Sequence, residues 1–139
     1  MPRLQALVLA DNIYQDARSG KKVIAGTFNH IFAKEVGEGI AFGRNAHAYI
    51  CLTDIRGDCQ LTLRYVDLHD ETPLMATSFT VHGDDPLKSL ELLMEMPPLP
   101  LPHEGVYALE ILNGDNGLGS LRIAVSLMPG ESEGADEKE

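Results

Sequence analysis

Hydrophobic stretches separated by short polar turns recur along nearly the whole chain. In the clearest stretch, Ala46, Ala48, Ile50 and Leu52 alternate with less apolar residues. Alternation with a period of two is typical of a β-strand that buries one face. About eight such segments, with turn signals at roughly 8–12-residue spacing, predict an all-β fold: an antiparallel two-sheet sandwich.

The predicted strands follow one another with little else between them. They cover residues 4–10, 22–32, 44–53, 60–68, 74–82, 86–96, 105–112 and 118–127. Longer loops are expected at 11–21 and 33–43. Gly26 lies inside the second strand, where glycine often marks a bulge or a close approach of the backbone.

The segment 86–96 is compatible with two structures. Asp85 followed by Pro86 resembles a helix N-cap with proline at the first helical position. Apolar residues at every second position from 90 to 96 instead indicate a strand. We favour a strand because the neighbouring segments are strands, and the helix remains the alternative.

Two connections carry distinctive residues. The proline-rich run 97–102 predicts extended, polyproline-like chain, which serves as a crossover between two sheets or as a ligand for a proline-reading groove. Residues 113–117, Asn-Gly-Asp-Asn-Gly, predict a hairpin turn, because Asn and Gly tolerate the positive φ that tight turns need.

Length and composition indicate one domain with a tail. The chain has 139 residues, within the usual size of a single core. We expect residues 1–128 to form the β-sandwich domain. Residues 129–139 have no large apolar side chain and an excess of acid, which predicts a disordered tail.

The net charge of −10 and the 6% aromatic content argue against two classes of partner. Nucleic-acid-binding proteins usually present a basic face and stacking aromatics, and an acidic surface repels anionic lipids. We therefore expect no nucleic-acid binding and no direct membrane binding. The apolar N-terminus is too short for a signal peptide, so a cytoplasmic protein is expected, with Cys51 and Cys59 as free thiols.

Three sequence stretches together carry a resemblance. They are residues 7–14 leading to Ile24-Ala-Gly-Thr-Phe28, then Leu63-Arg-Tyr-Val-Asp-Leu68, then 97–107 with its closing hairpin. The chain resembles an uncharacterised bacterial family of small stand-alone domains of unknown function. The resemblance covers nearly everything except the tail. It implies an immunoglobulin-like or calcium-lipid-domain-like β fold and brings no catalytic residues.

Known catalytic motifs are missing from the sequence. There is no G-x-S-x-G, no glycine-rich phosphate loop that opens a helix, and no H-E-x-x-H. A weak enzyme hypothesis needs His47, Tyr49, Arg64 and Asp67 to converge from adjacent strands. The run 67–71 concentrates acids beside a histidine, which we interpret as a solvated turn.

One set of acids suggests a metal site. If connections alternate between the two ends of the sandwich, the loops after strands one, three, five and seven share one end. Calcium takes about 6–8 oxygen ligands, often carboxylates from loops. Aspartate is also a common turn residue for its own local hydrogen bonds, so the cluster has a plain structural alternative. The candidate ligands are Asp11, Asp16, Asp54, Asp58, Asp84, Asp85 and Asp115.

These observations favour a non-enzymatic interaction or accessory module that binds a protein partner. Exposed edges of β-sheets are natural docking sites for partner strands. The alternative is a divalent-cation domain that binds calcium at its Asp-rich end. No other cofactor is expected.

Overall fold

A computed structural model describes residues 1–36, 39–41 and 45–128. Over these ranges the chain forms ten strands and no helix, which confirms the all-β prediction but not the count of about eight. The predicted tail, 129–139, lies outside the described residues. The strands are β1 (Arg3–Gln15), β2 (Lys22–Thr27), β3 (His30–Val36), β4 (Gly39–Ala41), β5 (Ala46–Thr53), β6 (Gly57–Asp67), β7 (Thr72–Gly83), β8 (Leu90–Met96), β9 (Gly105–Asn113) and β10 (Asn116–Leu127).

The strands form two sheets. One has four strands in the order β2-β1-β5-β8, and the other has six in the order β4-β3-β10-β9-β6-β7. The neighbouring strands are antiparallel except β3 and β10, which are parallel. The prediction of wholly antiparallel sheets is therefore wrong at this one pair.

A single buried cluster takes side chains from both sheets. The apolar positions predicted on β5 are buried, as are Leu61, Leu63 and Tyr65 on β6. They pack with Ile111 of β9 and Ile123 of β10 in the same cluster. The period-two alternation of the sequence thus identified the core face of these strands correctly.

The predicted second strand, 22–32, is two strands in different sheets. The chain passes between the sheets at residues 28–29, and the N–H of Phe28 donates to the carbonyl of Leu9 (3.0 Å). Gly26 has φ +75°, and a Cβ there would lie 2.6 Å from Oδ2 of Asp11. The nearest atoms are those of the Asp11 side chain, so this glycine makes room for a side chain and not for another stretch of backbone. Because the strand is broken, the alternation shifts, so Ile31 is buried and Phe32 is 54% exposed.

The loop predicted at 33–43 is wrong in part, because it contains the end of β3 and the short strand β4. Residues 37–38 and 42–43 of that loop lie outside the described residues. The additional strand adds one reversal of the chain. As a result β5 runs antiparallel to β1, with Arg3 opposite Thr53 and Ala10 opposite His47.

The segment 86–96 is a strand only from Leu90 onward. Before it, Oδ1 of Asp85 accepts from the N–H of Leu87 (3.0 Å), and the Asp85 carbonyl accepts from the N–H of Lys88 (3.0 Å). The Asp-Pro signal therefore makes a turn and not a helix, because an aspartate side chain caps a turn by the same local bond.

The proline-rich run connects β8 in one sheet to β9 in the other, as the crossover interpretation predicts. Leu99 and Leu101 are buried, and the Tyr65 hydroxyl donates to the Pro100 carbonyl (2.9 Å). No helix among the described residues has the length and apolar character needed to cross a bilayer.

Candidate functional site

Five of the seven predicted metal ligands lie at one end of the molecule. Three connections meet at this end: 54–56, 84–89 and 114–115. Gly57 pairs with Gly83, and Leu52 pairs with Leu90. The β9–β10 hairpin reaches the same end because the Asn113 side chain donates to the Gln60 carbonyl. This group, called the acidic end below, comprises Asp54, Asp58, Asp84, Asp85 and Asp115.

Asp11 and Asp16 are elsewhere. Since β1 is antiparallel to β5, its last residues lie at the opposite end from Asp54. Asp11 is inside β1, and Asp16 follows it. Oδ2 of Asp16 accepts from the N–H and hydroxyl of Ser19 (2.8 and 2.7 Å), and the hydroxyl bond is the main reason that the pKa of Asp16 is lowered. Such a bond is the ordinary role of aspartate in a turn.

The metal hypothesis gains no geometric support. Among the residues that the structure describes, no three His, Cys, Asp or Glu side chains are close enough to hold a metal ion. Calcium binding at the acidic end stays a prediction.

His82 of β7 joins two members of the acidic end. Its Nδ1 is 2.7 Å from Oδ1 of Asp58, and its Nε2 is 2.9 Å from Oδ1 of Asp84. The bond to Asp58, followed by that to Asp84, raises the pKa of His82. All three side chains are exposed, so solvent screens the contacts and they contribute little to stability.

The four residues of the enzyme hypothesis do not converge. His47 and Tyr49 are on β5 in the four-stranded sheet, whereas Arg64 and Asp67 are on β6 in the six-stranded sheet. The hypothesis required adjacent strands and is wrong on that point. Tyr49 instead bonds to Glu91, and Arg64 Nη2 pairs with Oε1 of Glu110 at 2.8 Å.

A buried carboxylate lies at the opposite end from the acidic end. Asp67 closes β6 and is 4% exposed, so it is not part of a solvated turn as predicted. Its Oδ2 is 2.6 Å from Nε2 of His103, and its Oδ1 accepts from the N–H of His69 (2.9 Å). The exposed residues Asp70 and Glu71 do fit the predicted solvated turn.

His103 has acceptors on both ring nitrogens. Its Nδ1 is 2.5 Å from the Glu104 carbonyl, while Nε2 faces the Asp67 carboxylate. Neither acceptor can donate, so the geometry favours a protonated ring with both N–H groups donating. The Glu104 carbonyl first, and then Asp67, raises the pKa of His103.

Two tyrosines complete this site, which we call the crossover corner: Tyr65, Asp67, His103 and Tyr107. The Tyr107 hydroxyl donates to the His103 carbonyl (2.5 Å) and accepts from its N–H (3.2 Å). The Tyr65 and Tyr107 rings stack at 5.4 Å between centroids and 7° between planes. Burial raises the pKa of Tyr107. The two hydroxyls thereby hold the main chain of the crossover against β6 and β9.

An open cleft of about 520 Å³ borders the crossover corner. Its lining includes Leu68, His69, His103, Glu104 and Val106. A general base needs a free lone pair within reach of a substrate proton. Both ring nitrogens of His103 lie within hydrogen-bond distance of neighbouring acceptors, so in this arrangement the ring has no free lone pair.

A second surface feature is the outer edge of β7. Four strands end a sheet: β2, β8, β4 and β7. β7 is the longest, with 12 residues, and contains no Asp, Glu, Lys or Arg. By contrast, β8 carries Glu91 and Glu95, β2 begins with Lys22, and β4 has three residues. Soluble proteins usually protect a long edge with charges, prolines or bulges. On β7, Pro73 and the register shift beside it lie at one end of the strand, so the edge from Leu74 to Gly83 is open to another strand.

Sequence reasoning missed both surfaces. Tyr107 comes four residues after His103, between a proline-rich crossover and a strand, and that spacing was an available signal for a tyrosine that bonds back to the main chain. The uncharged run in β7 is also visible in the sequence. Its position at a sheet edge was not, because neighbours in a sheet depend on the whole topology.

A comparison with protein families identifies a match over most of the chain. The model of a family described as a family of unknown function, DUF6941, matches residues 5–126. This confirms the predicted resemblance to a family of unknown function. No curated protein matches the chain.

Proposed function

The chain belongs to the family of unknown function DUF6941, and we propose that it is a non-enzymatic interaction module that binds a protein partner along the edge of β7. The observation that carries this proposal is the length of that edge combined with its lack of charge. An edge strand presents unpaired backbone N–H and C=O groups, which an extended partner segment can bind by adding a strand.

The side chains of β7 fit such a role. Ala76, Thr77 and Ser78 are exposed at the centre of the strand, while Val81 is buried and Phe79 packs against the core. The inner residues hold β7 on the sheet through regular pairing with β6 from Gly57–Gly83 to Tyr65–Met75. A rigid strand with small exposed residues leaves room for a partner strand beside it.

We also propose that the protein has no catalytic role and that its two sheets form an immunoglobulin-like sandwich. The buried carboxylate of Asp67 is occupied by His103 and the His69 N–H, which argues against acid–base chemistry there. Tyr107 lies near the start of β9 and bonds back to the main chain of residue 103, like the tyrosine corner of immunoglobulin-like sandwiches. This likeness supports an immunoglobulin-like sandwich, a fold that many interaction domains share.

The test is affinity capture from the protein's own cells with two neighbouring variants, Thr77→Pro and Ser78→Pro. In a regular antiparallel edge, successive residues direct their N–H groups alternately to the sheet and outward. One variant should therefore weaken the β6–β7 ladder and lower the melting temperature, while the other should leave stability nearly unchanged and remove an outward donor. We expect the second, stable variant to lose a partner that the wild type captures.

The control is Phe32→Ser, which removes an exposed aromatic ring from β3, far from β7 in the six-stranded sheet. It should keep the partner. A partner that is lost with Phe32→Ser but retained by both proline variants would contradict the proposal. So would the absence of any partner specific to the wild type.

A further inference from the structure

Resting on the proposed function, we infer that the segment bound by β7 is extended, uncharged at its centre and basic at both ends. The uncharged strand is bracketed by acids along the chain. Asp70 and Glu71 precede β7, Asp84 and Asp85 follow it, and all four are exposed. A segment that pairs along the whole strand meets negative charge at both of its ends.

The length of the bound segment follows from β7. Pro73 has no N–H and cannot donate to a partner, so pairing can use about residues 74–83. At about 3.3 Å per residue, the two acidic pairs are separated by roughly 40 Å, several times the ~8 Å Debye length at physiological salt. Each acidic pair therefore interacts only with the partner charges at its own end of β7. The partner segment should have about eight to ten uncharged residues with Lys or Arg on each side.

At each end of β7 the acidic residues outnumber the basic ones. At the end that follows β7, Arg56 and Lys88 accompany the five aspartates of the acidic end, and His82 bridges two of them. At the other end, His69 lies beside Asp70 and Glu71 in the chain, and the charge of His103 interacts with that of Asp70. A basic partner residue gains at either end, whereas an acidic one is repelled.

The same charges disfavour a second copy of this chain as the partner. Two β7 strands that pair antiparallel about a two-fold axis between Thr77 and Ser78 would bring Glu71 opposite Asp84. Asp70 would then lie opposite Asp85, at both ends of the shared ladder. Like charges directly opposite are destabilising, and each chain has a net charge of −10. The β7 edge therefore favours a segment with basic ends and disfavours the β7 strand of a second copy.

The test uses three labelled synthetic peptides with the same uncharged ten-residue centre, KKTVSVTVSVTVKK, SSTVSVTVSVTVSS and EETVSVTVSVTVEE. Their binding to the full chain is measured by fluorescence anisotropy. At about 50 mM salt we expect the Lys-ended peptide to bind at least about tenfold more tightly than the Ser-ended one, and the Glu-ended peptide not to bind. The difference should shrink at about 0.5 M salt. Backbone amide resonances of residues 74–83 should shift with the Lys-ended peptide.

Matched variants place the effect at the strand ends. Asp70→Asn with Glu71→Gln, and Asp84→Asn with Asp85→Asn, should each weaken the Lys-ended peptide by several fold and leave the Ser-ended peptide unchanged. Glu95→Gln on β8 is the control for a general effect of negative charge and should change neither.

Equal binding of all three peptides would overturn the inference while leaving the proposed edge function standing. Loss of Lys-ended binding in Glu95→Gln as large as in the end variants would also overturn it, as would a wild-type dimer that Thr77→Pro or Ser78→Pro dissociates. If no peptide binds and capture is unaffected by both proline variants, the proposed function itself fails.

Discussion

Two histidine–aspartate contacts lie at opposite ends of the molecule, with nearly the same bond lengths and very different surroundings. At the crossover corner, His103 is 2.6 Å from Asp67, and their side chains are 39% and 6% exposed. At the acidic end, His82 is 2.7 Å from Asp58 and 2.9 Å from Asp84, with exposures of 59%, 78% and 93%. Both histidines have raised pKa values.

The comparison shows that the distance between a histidine nitrogen and a carboxylate oxygen does not by itself determine how much the contact stabilises the fold. At the acidic end, water solvates each group almost as well without its partner, so little is lost when the contact breaks. At the corner, Asp67 is shielded from water, and its loss would leave the His69 N–H and the Nε2–H of His103 without their acceptor. The predictions below measure this difference, beginning with the largest.

Asp67→Ala should lower the free energy of unfolding by about 3 kcal/mol, because it removes the buried acceptor of two donors and leaves a cavity. The matched variant at the acidic end, Asp58→Ala, should change it by less than about 0.5 kcal/mol. Urea unfolding of both variants at one pH gives the comparison. Equal effects of the two substitutions would show that burial does not separate the two ends.

Tyr107→Phe should destabilise the protein by about 1–2 kcal/mol, since it removes a hydroxyl that both donates to and accepts from the main chain of His103. Tyr49→Phe is the control, because its hydroxyl contacts Glu91 on the outer face of the other sheet. That change should cost less than about 0.5 kcal/mol. A loss for Tyr49→Phe as large as that for Tyr107→Phe would contradict the special role of the Tyr107 hydroxyl.

Stability should fall as the pH rises above the ordinary histidine pKa of 6.5. A histidine whose pKa is higher in the folded state stabilises the fold below 6.5, and that contribution is lost as the pH passes its raised value. His103 is the main source we expect, because its ring bonds first to the Glu104 carbonyl and then to the carboxylate of Asp67, which together raise its pKa. The urea midpoint of the wild type should therefore be lower at pH 8.5 than at pH 6.

The histidine variants separate the two ends. His103→Gln should remove most of the fall between these pH values, and His82→Gln should remove less of it, because His82 and its carboxylates are more exposed. Staying above pH 6 keeps the titration of the carboxylates out of the measurement. If His82→Gln reduces the fall in the urea midpoint more than His103→Gln does, then His82 contributes more to the pH dependence than His103, contrary to our expectation.

The sequence was a good guide to local structure and a poor one to the path of the chain. Alternation located the buried faces of β5 and β6, because side-chain direction in a strand is a local property. The sheet in which a strand lies is not local. One break after Gly26 and the three-residue strand β4 sufficed to reverse β5 relative to β1. That reversal carried Asp16 away from the acidic end.

The crossover corner could not be predicted from the sequence, because it is formed by contacts between distant parts of the chain. Asp67 and His103 are 36 positions apart, and each is unremarkable in its own segment. Its acidic neighbours made Asp67 resemble a turn residue, whereas burial at the end of β6 depends on the crossover that covers it. The acids that the sequence did bring together, at the acidic end, are explained largely by local hydrogen bonds and by His82.

Calcium should have the smallest effect. The prediction from the sequence is a gain in melting temperature that Asp54→Ala and Asp84→Ala would abolish, because a ligand that binds only the folded state stabilises it. Two of the seven candidate ligands lie at the other end, and the described residues offer no group of three metal-binding side chains. We therefore expect millimolar calcium chloride to shift the melting temperature no more than sodium chloride of equal ionic strength. A larger shift that is lost in Asp84→Ala but kept in Asp16→Ala would restore the metal hypothesis.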